Sequence, residues 1–314
     1  MILSLNILSI SKYRNELMGM ATILILICHS CAYIEYPRLF NYFVSYGNIG
    51  VDVFLFLSGF GLSFSLSKSS CLFQWYRHRY NRILTPYFLI IIPLTFIRYA
   101  LELMNTTDLF YIIKYILTIQ FWIDHNGVWY IAMLLPLYLI TPLLFKYLQT
   151  NTSIKVVILI LFCYSFSLLE VSNNVLTNIQ FVIIRLPSFL LGLWIYRYML
   201  DHKTIDGKFV FLSGIMAVLA LLITKHFVYS YTFAILPCVY LMNSIIEHSK
   251  FRNLYSFFGK ISLESYLFNI SIPSILLFFL PMLNHAIVYL IAVVLGVFLS
   301  YVSNYSVKSL LLRL

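Results

Sequence analysis

Two ionisable side chains, those of His29 and Asp52, lie within apolar stretches that are long enough to cross a lipid bilayer. The stretches are 17–34 and 46–66, and a helix needs about 20 residues to cross the hydrocarbon layer. Ionisable groups are costly at such a depth and are kept mainly where they pair, line a polar cavity or take part in chemistry. Since imidazole exchanges protons near neutral pH, the two residues predict a polar site inside a membrane protein.

Two arginines on other apolar stretches reach a similar depth. By helical rise, His29 lies roughly 18 Å and Asp52 roughly 21 Å from the membrane face at which the first stretch begins. Arg185 comes out at roughly 18 Å and Arg98 at roughly 22 Å by the same count. We therefore predict that Asp52 pairs with Arg185 or Arg98 while His29 exchanges protons. The alternative is a set of structural ion pairs in which His29 is a hydrogen-bonded packing residue.

The composition predicts the elements that must hold these side chains. Of the 314 residues, 61% are hydrophobic and only 10% are charged, whereas a soluble domain carries roughly 25% charged residues. We predict an all-α integral membrane protein, a single membrane domain over residues 1–314, with about ten transmembrane helices. The apolar runs are 17–34, 46–66, 83–104, 127–147, 154–170, 177–198, 208–224, 227–246, 261–283 and 285–305. A shorter run, 109–123, is predicted to be interfacial or re-entrant.

Lysine and arginine are distributed unevenly between the two sets of predicted loops. One set contains Lys12, Arg14, Lys68, Arg77, Arg79, Arg82, Lys146, Lys155, Arg197, Lys203, Lys208, Lys250, Arg252, Lys260, Lys308 and Arg313, and the other contains Arg38, Lys114 and Lys225. Because basic loops stay in the cytoplasm, both termini are predicted to be cytoplasmic, with the chain crossing the plasma or inner membrane several times. The same asymmetry explains the net charge of +10 with the lipid bilayer as partner and no nucleic acid.

Two further segments each have a structural and a ligand-binding interpretation. The stretch 47–60 carries glycines and Ser58, and such small residues let helices approach closely. In the segment 73–87, Arg79 and Arg82 share one helix face, and guanidinium groups suit phosphate oxygens. Topogenic charge with an aromatic belt is the alternative for that segment. Cysteines flank His29 on both sides, but no second ligand pair matches them, and we predict no metal.

A set of motifs extends along almost the whole chain. His29 closes the first span, and residues 47–60 read G-x-x-G-V-D-x-F-x-x-L-S-G-F. An R-x-x-R-I-x-P-Y segment begins at Arg79, with one extra residue before the proline. Further motifs are Val128-Trp129-Tyr130 with Tyr138 and Pro142, Leu186-Pro187-Ser188-Phe189 with Gly192, and the run from Phe258 to Leu267. In these motifs the chain resembles the acyltransferase 3 family of integral membrane acyltransferases.

This resemblance implies transfer of an acyl group, usually acetyl from acetyl-CoA, to a hydroxyl of a cell-envelope or exported polysaccharide or a lipid-linked sugar. A sugar hydroxyl is a poor nucleophile, so it implies His29 as the general base and Asp52 as the group that orients or charge-stabilises it. Arg79, Arg82 and Arg14 are expected to bind acyl-CoA on the cytoplasmic side. The residues expected to support the substrate or the site are Ser58, Arg98, Trp129, Tyr130, Arg185 and Asn269.

The chain departs from the family pattern at two positions. Met18 stands where the family often has arginine, and we expect Arg14, one helical turn earlier, to take its place. Asn269 stands where the family often has histidine. An amide does not titrate and can only hydrogen-bond, so a second titrating imidazole is not expected in this chain.

Two other classes of protein remain to be compared with an acyltransferase. A transporter or flippase for polysaccharide or lipid-linked sugar is expected to show internal repeats and helices broken at mid-membrane. No repeat relates the two halves, and Pro187 and Pro273 are the candidates for breaks. A scaffold or receptor would not require His29 and Asp52 to lie at matching depths.

Overall fold

The computed structural model describes residues 4–104, 106 and 108–311, and helices dominate them. The strands are β1 (Leu5–Asn6) and β2 (Thr204–Ile205), and the helices are α1 (Ile7–Lys12), α2 (Arg14–His29), α3 (Arg38–Tyr46), α4 (Ile49–Ser67), α5 (Leu72–Ala100), α6 (Leu109–Ile116), α7 (Ile119–Asp124), α8 (Trp129–Tyr147), α9 (Thr152–Ser167), α10 (Asn174–Ile183), α11 (Leu186–Asp201), α12 (Gly207–Thr224), α13 (Phe227–His248), α14 (Arg252–Lys260), α15 (Ser262–Phe279) and α16 (His285–Leu311). Arg313, predicted to be cytoplasmic, lies outside the described residues.

Nine helical segments in the described part of the chain are long and apolar enough to cross a membrane. They are Arg14–Ala32, Arg38–Ser67, Leu72–Ala100, Trp129–Tyr147, Asn174–Asp201, Gly207–Thr224, Phe227–His248, Ser262–Phe279 and His285–Ser309. The fifth predicted run, 154–170, appears as the shorter apolar helix α9, with 16 residues, and is not among these nine. The predicted all-α integral membrane fold is therefore confirmed. The run 109–123 forms two helices, α6 and α7, of 8 and 6 residues.

Two of the spans are interrupted. The span Arg38–Ser67 consists of α3 and α4, which are separated by Gly47 and Asn48, and the span Asn174–Asp201 consists of α10 and α11. Pro187 lies in the first turn of α11, where a residue without an N–H is readily accommodated. This break places Arg185 at the N-cap of α11. Pro273, the other candidate for a break, lies inside the continuous helix α15.

Glycines set the spacing between α4 and its two neighbours. A Cβ added at Gly50 would lie 2.6 Å from the carbonyl oxygen of Ala21 on α2, and one at Gly59 would lie 2.3 Å from that of Phe189 on α11. Gly192 on α11 is equally crowded against α4. The stretch 47–60 is therefore a packing segment, as one of its two interpretations predicted.

A second close contact joins α2 to α14. A Cβ at Gly19 would lie 1.8 Å from the carbonyl oxygen of Tyr255, and one at Gly259 would lie 1.9 Å from that of Asn15. Such distances leave no room for a side chain, so the two glycines allow the backbones to touch. The contact places Lys260, the residue after Gly259, beside the start of α2.

Both ends of the described chain lie at the same end of the helix bundle. β1 pairs antiparallel with β2, the connection between α11 and α12. Asn304, near the end of α16, donates from Nδ2 to the carbonyl oxygen of Lys260 at 3.0 Å. An even number of crossings brings the chain back to the face at which it started, and this arrangement agrees with the ten predicted spans. The side of the membrane remains a prediction.

Candidate active site

A cavity of about 330 Å³ lies at the bundle end that holds the two chain ends. Its lining includes five cationic side chains, those of Arg14, Arg79, Arg82, Lys260 and Lys308. We call this space the basic cavity. Arg82, Lys260 and Lys308 are exposed and form its rim, whereas Arg14 and Arg79 are partly buried. The rim makes the cavity accessible from this end of the bundle.

Three different parts of the chain supply these cations. Arg79 and Arg82 lie one turn apart on α5, and Arg14 begins α2, as the sequence suggested. Arg14 faces Gly61 on α4, where an added Cβ would lie 3.1 Å from Nη2. Its Nε is buried without a hydrogen-bond partner among the described residues. The guanidinium therefore retains the capacity to bind a further acceptor.

Lys260 and Lys308 had no predicted role. Lys260 belongs to the run 258–267 that resembles the family, so its motif could have indicated it. Lys308 lies three residues beyond the last apolar run, 285–305, and has no pattern that distinguishes it from a topogenic charge. The acidic residue of the lining is Glu264, whose Oε1 accepts a hydrogen bond from Asn304 Nδ2 at 2.8 Å.

One wall of the basic cavity is aromatic. Tyr138, Leu134 and Tyr130 line it at four-residue intervals along α8, a depth of about 12 Å. The hydroxyl of Ser58 interacts with the hydroxyls of both tyrosines. The Tyr130 N–H donates to the hydroxyl of Tyr266 at 3.3 Å. Tyr130 and Ser58, both predicted to support the site, thus belong to the same wall.

The inner part of the cavity leads towards His29. Ile25 on α2 and Val51 on α4 are lining residues, and His29 lies one turn beyond Ile25, about 6 Å further along the helix axis. His29 itself is not a lining residue. Its Nδ1 lies 2.9 Å from Nδ2 of Asn269 on α15. Asn269, predicted to support the site, is thus the hydrogen-bonding partner of the predicted base.

Asp52 lies in a separate polar cluster with Arg185. Its Oδ2 accepts from Arg185 Nη1 at 2.5 Å, and its Oδ1 accepts from Ser188 Oγ at 2.7 Å. Both charged side chains are 2% exposed. The guanidinium carbon of Arg185 lies 5.4 Å from the ring centroids of Trp129 and Tyr231. The ion pair predicted between Asp52 and Arg185 is therefore present, and Trp129 encloses it.

The orienting contact predicted between Asp52 and His29 is absent from the described hydrogen bonds. Gly50 faces α2, and Asp52 follows it by two residues, a rotation of about 200° around the helix. Asp52 consequently points towards α11, where Arg185 and Ser188 satisfy both of its oxygens. The sequence placed Asp52 at the right depth but could not predict its direction.

Of the two arginines that were predicted as alternative partners of Asp52, Arg98 has a different partner among the described contacts. Arg98 Nη1 donates to the hydroxyl of Tyr115 at 3.0 Å. Both line a second cavity of about 350 Å³ with Leu103, Met104, Thr106, Tyr111 and Asn126. Arg98 lies 16 residues beyond Arg82 on α5, about 24 Å along the axis, so this cavity is far from the cationic rim. The depth estimate gives a position along the helix axis and says nothing about rotation around it. It therefore could not show whether Arg98 lies on the face of α5 that is turned towards Asp52.

A comparison with family models gives one match, to the model described as an acyltransferase domain, over residues 17–305. The match includes His29, Asp52, Arg79, Arg82 and Asn269. Comparisons with curated proteins and with solved structures gave no significant match. Because the family model covers nearly the whole chain, the protein belongs to the acyltransferase 3 family and is a multi-pass membrane acyltransferase.

Proposed function

We propose that this protein transfers an acetyl or similar acyl group from acyl-CoA on the cytoplasmic side to a hydroxyl of an envelope or exported polysaccharide, or of a lipid-linked sugar. The observation that supports this proposal most directly is the basic cavity: its rim carries three cations, and its inner end comes within one helical turn of His29. A site for a polyanionic donor and a base for the acceptor thus lie in line along α2.

The lining of the basic cavity suits the chemistry of acyl-CoA. The phosphates of CoA need cationic partners, and Arg79 and Arg82 can offer planar guanidinium donors to phosphate oxygens. Lys260 and Lys308 can neutralise further charge at the rim. The cavity volume of about 330 Å³ is within the range of ligand sites. A pantetheine arm is long and narrow enough to follow the aromatic wall inwards.

His29 is the side chain that we assign to the chemical step. It accepts the proton of the sugar hydroxyl while that oxygen attacks the thioester carbonyl. A carbon–oxygen bond forms, the carbon–sulfur bond breaks, and the imidazolium returns the proton to the leaving thiolate. Such a base contributes roughly 10²–10⁴-fold to the rate.

The transporter alternative has one feature in its favour, the two interrupted spans. In this chain α4 continues for 19 residues beyond its interruption, about 28 Å, so the interruption lies near the opposite face rather than at the midplane. The charged groups beside the two breaks, on Asp52 and Arg185, bind each other. These features favour a structural role for the interruptions.

The test is transfer of labelled acetyl from acetyl-CoA by the purified protein in lipid nanodiscs, with polysaccharide or lipid-linked sugar as acceptor. The native protein is expected to transfer label, and His29→Ala is expected to lose at least nine-tenths of the rate while remaining folded. His248→Ala, an exposed change at the end of α13, is the control and should remain active. Transport of sugar across vesicle membranes without acetylation would support the transporter instead.

A further inference from the structure

His29 and Asn269 are 240 residues apart in sequence, and their side chains meet inside the bundle. Asn269 is 7% exposed, so its amide is not free to bond with water. Its Oδ1 is buried and has no hydrogen-bond partner among the described residues. A buried carbonyl oxygen without a donor is costly, and the ring nitrogen of His29 lies beside the same amide.

We propose that Asn269 is the positioning residue of His29: its amide oxygen accepts the Nδ1–H of the imidazole, which leaves Nε2 unprotonated as the base. This inference rests on the proposed function, because it assumes that His29 removes a proton from the acceptor. It assigns to an uncharged amide on α15 the role that the sequence predicted for Asp52.

The reaction itself selects the orientation of the amide. When Nε2 takes the acceptor's proton, the ring becomes an imidazolium, and both of its nitrogens are then donors. Only an acceptor can stay bonded to Nδ1 through that step. The amide oxygen meets this need, whereas the NH₂ group would face a second donor. An amide presents either end in nearly the same shape, so the oxygen can take the place beside Nδ1.

A tyrosine holds the amide in place. Tyr289 on α16 donates from its hydroxyl to the carbonyl oxygen of Leu26 at 2.5 Å and also interacts with Asn269. Its ring stacks on Tyr33, with centroids 4.9 Å apart. The amide therefore lies between α2 and α16 and has little freedom to leave Nδ1.

No other charged partner of His29 is found among the described contacts. The carboxylate of Asp52 is bonded to Arg185 and Ser188. Weak acids surround the imidazole: Cys28 and Cys31 beside His29, Tyr33 and Tyr36 after α2, Tyr46 on α3, and Tyr289 on α16. Charged groups on the same or neighbouring segments have other surroundings: Glu35 after α2 and Arg38 on α3 are exposed, Glu264 on α15 is bonded to Asn304, Arg98 on α5 lies near Tyr33, and Arg185 lies near Cys28. The pH dependence of the reaction should therefore respond to the residue at position 269.

Two variants of almost the same shape test the proposal. Asn269→Asp can only accept a hydrogen bond when ionised, and it should retain most of the maximal rate. Its carboxylate stabilises the imidazolium, so the acid limb of the pH–rate profile should move to higher pH. Asn269→Leu can neither accept nor donate; its kcat should fall about 10–100-fold, with the KM for acyl-CoA unchanged. Asn243→Leu replaces an equally buried asparagine on α13, and it should keep the native kcat.

The outcomes separate this proposal from the proposed function. If His29→Ala stays active, the base is wrong and the proposed function loses its mechanism. If His29→Ala is inactive but Asn269→Asp is as impaired as Asn269→Leu, the amide acts as a donor and only the inference fails. Nitrogen-15 spectra of histidine-labelled native protein, assigned with His29→Gln, identify the tautomer without any variant at position 269. An Nε2–H tautomer at neutral pH would overturn the proposal.

Discussion

At the scale of single residues, the buried ion pair of Asp52 and Arg185 is separate from His29, the proposed base. Asp52 and Arg185 lie together between α4 and α11, where each satisfies the other. A buried ion pair adds little net stability over an apolar pair, but the loss of one partner leaves a costly unpaired charge. His29 has an amide rather than a carboxylate as its neighbour. We therefore expect changes at Asp52 to affect folding more than chemistry.

Asp52→Asn should lower the free energy of unfolding by about 3–5 kcal/mol, since it leaves Arg185 unpaired in the protein interior. Thermal unfolding in detergent measures the loss, and acyl transfer should fall in step with the folded fraction. The double variant with Arg185→Gln should recover stability relative to Asp52→Asn alone. If the stability loss of the double variant equals the sum of the losses of the two single variants, the contact between Asp52 and Arg185 is contradicted.

The cations of the basic cavity give a second residue-scale prediction. Arg79→Gln with Arg82→Gln should weaken acetyl-CoA binding by at least 10-fold, because hydrogen bonds to charged groups are worth about 1.5–3 kcal/mol. The remaining binding should be less sensitive to salt. Affinity is measured on purified, correctly oriented protein.

The matched control removes the same charge from the same face of the membrane. Lys68→Gln with Arg77→Gln changes two exposed residues that do not line the cavity. This pair should leave acetyl-CoA affinity unchanged. An unchanged affinity in the Arg79 and Arg82 variant would remove those arginines from the donor site and leave them a topogenic role.

At the scale of elements, helix spacing is set by glycines rather than by large side chains. Gly59 and Gly192 join α4 to α11, while Gly19 and Gly259 join α2 to α14. Helices in a membrane have no hydrophobic driving force for association, and they associate through the close backbone packing that small residues allow. The first pair holds Asp52 against Arg185, and the second holds Lys260 at the rim of the basic cavity.

Gly192→Ala should destabilise the protein by about 1–3 kcal/mol or more, because the added methyl would lie 2.1 Å from the carbonyl oxygen of Phe56 and overpacked cores must shift. Gly214→Ala on α12 is the control, since its nearest neighbour, Pro237 Cγ, is 3.8 Å away. That change should stabilise the helix by roughly 0.5–1 kcal/mol. Equal unfolding midpoints for the two variants would contradict the packing role.

At the scale of the whole molecule, one helix decides whether the chain ends share a side of the membrane. α9 has 16 residues, about 24 Å in length, which is shorter than a typical span. Nine crossings would place the termini on opposite sides, but Arg14 and Lys308 line the same cavity. This geometry requires α9 to return the chain across the bilayer.

Cysteine labelling tests the prediction that the basic cavity opens on the cytoplasmic side. Native Cys71 is exposed in the loop before α5, at the cationic end, so an impermeant maleimide should label it only after cells are opened. In a variant without native cysteines, Asp108→Cys, at the start of α6, should react in intact cells. The reverse labelling pattern would show that the protein has the opposite orientation in the membrane, and it would exclude a donor site on the cytoplasmic side.

The all-α membrane fold, the approximate number of spans, the matching depth of Asp52 and Arg185, and the clustering of Arg14 with Arg79 and Arg82 could be predicted from the sequence. Hydropathy and helical rise determine them, because every span must cover the same thickness and basic ends collect at one face. These quantities are measured along the helix axis. They can be calculated from the sequence of a single span, without information about the neighbouring helices.

The rotation of each helix and the order of its neighbours are decided only by tertiary packing. Asp52 and Arg98 have suitable depths, yet one faces Arg185 and the other Tyr115. Asn269 reaches His29, and Lys308 reaches the basic cavity, across most of the chain length. Close contacts at Gly50, Gly59 and Gly192 fix the rotation of α4 against α2 and α11, because glycines let two backbones touch at one face only. Which faces meet depends on the partner helix, and no single span contains that information.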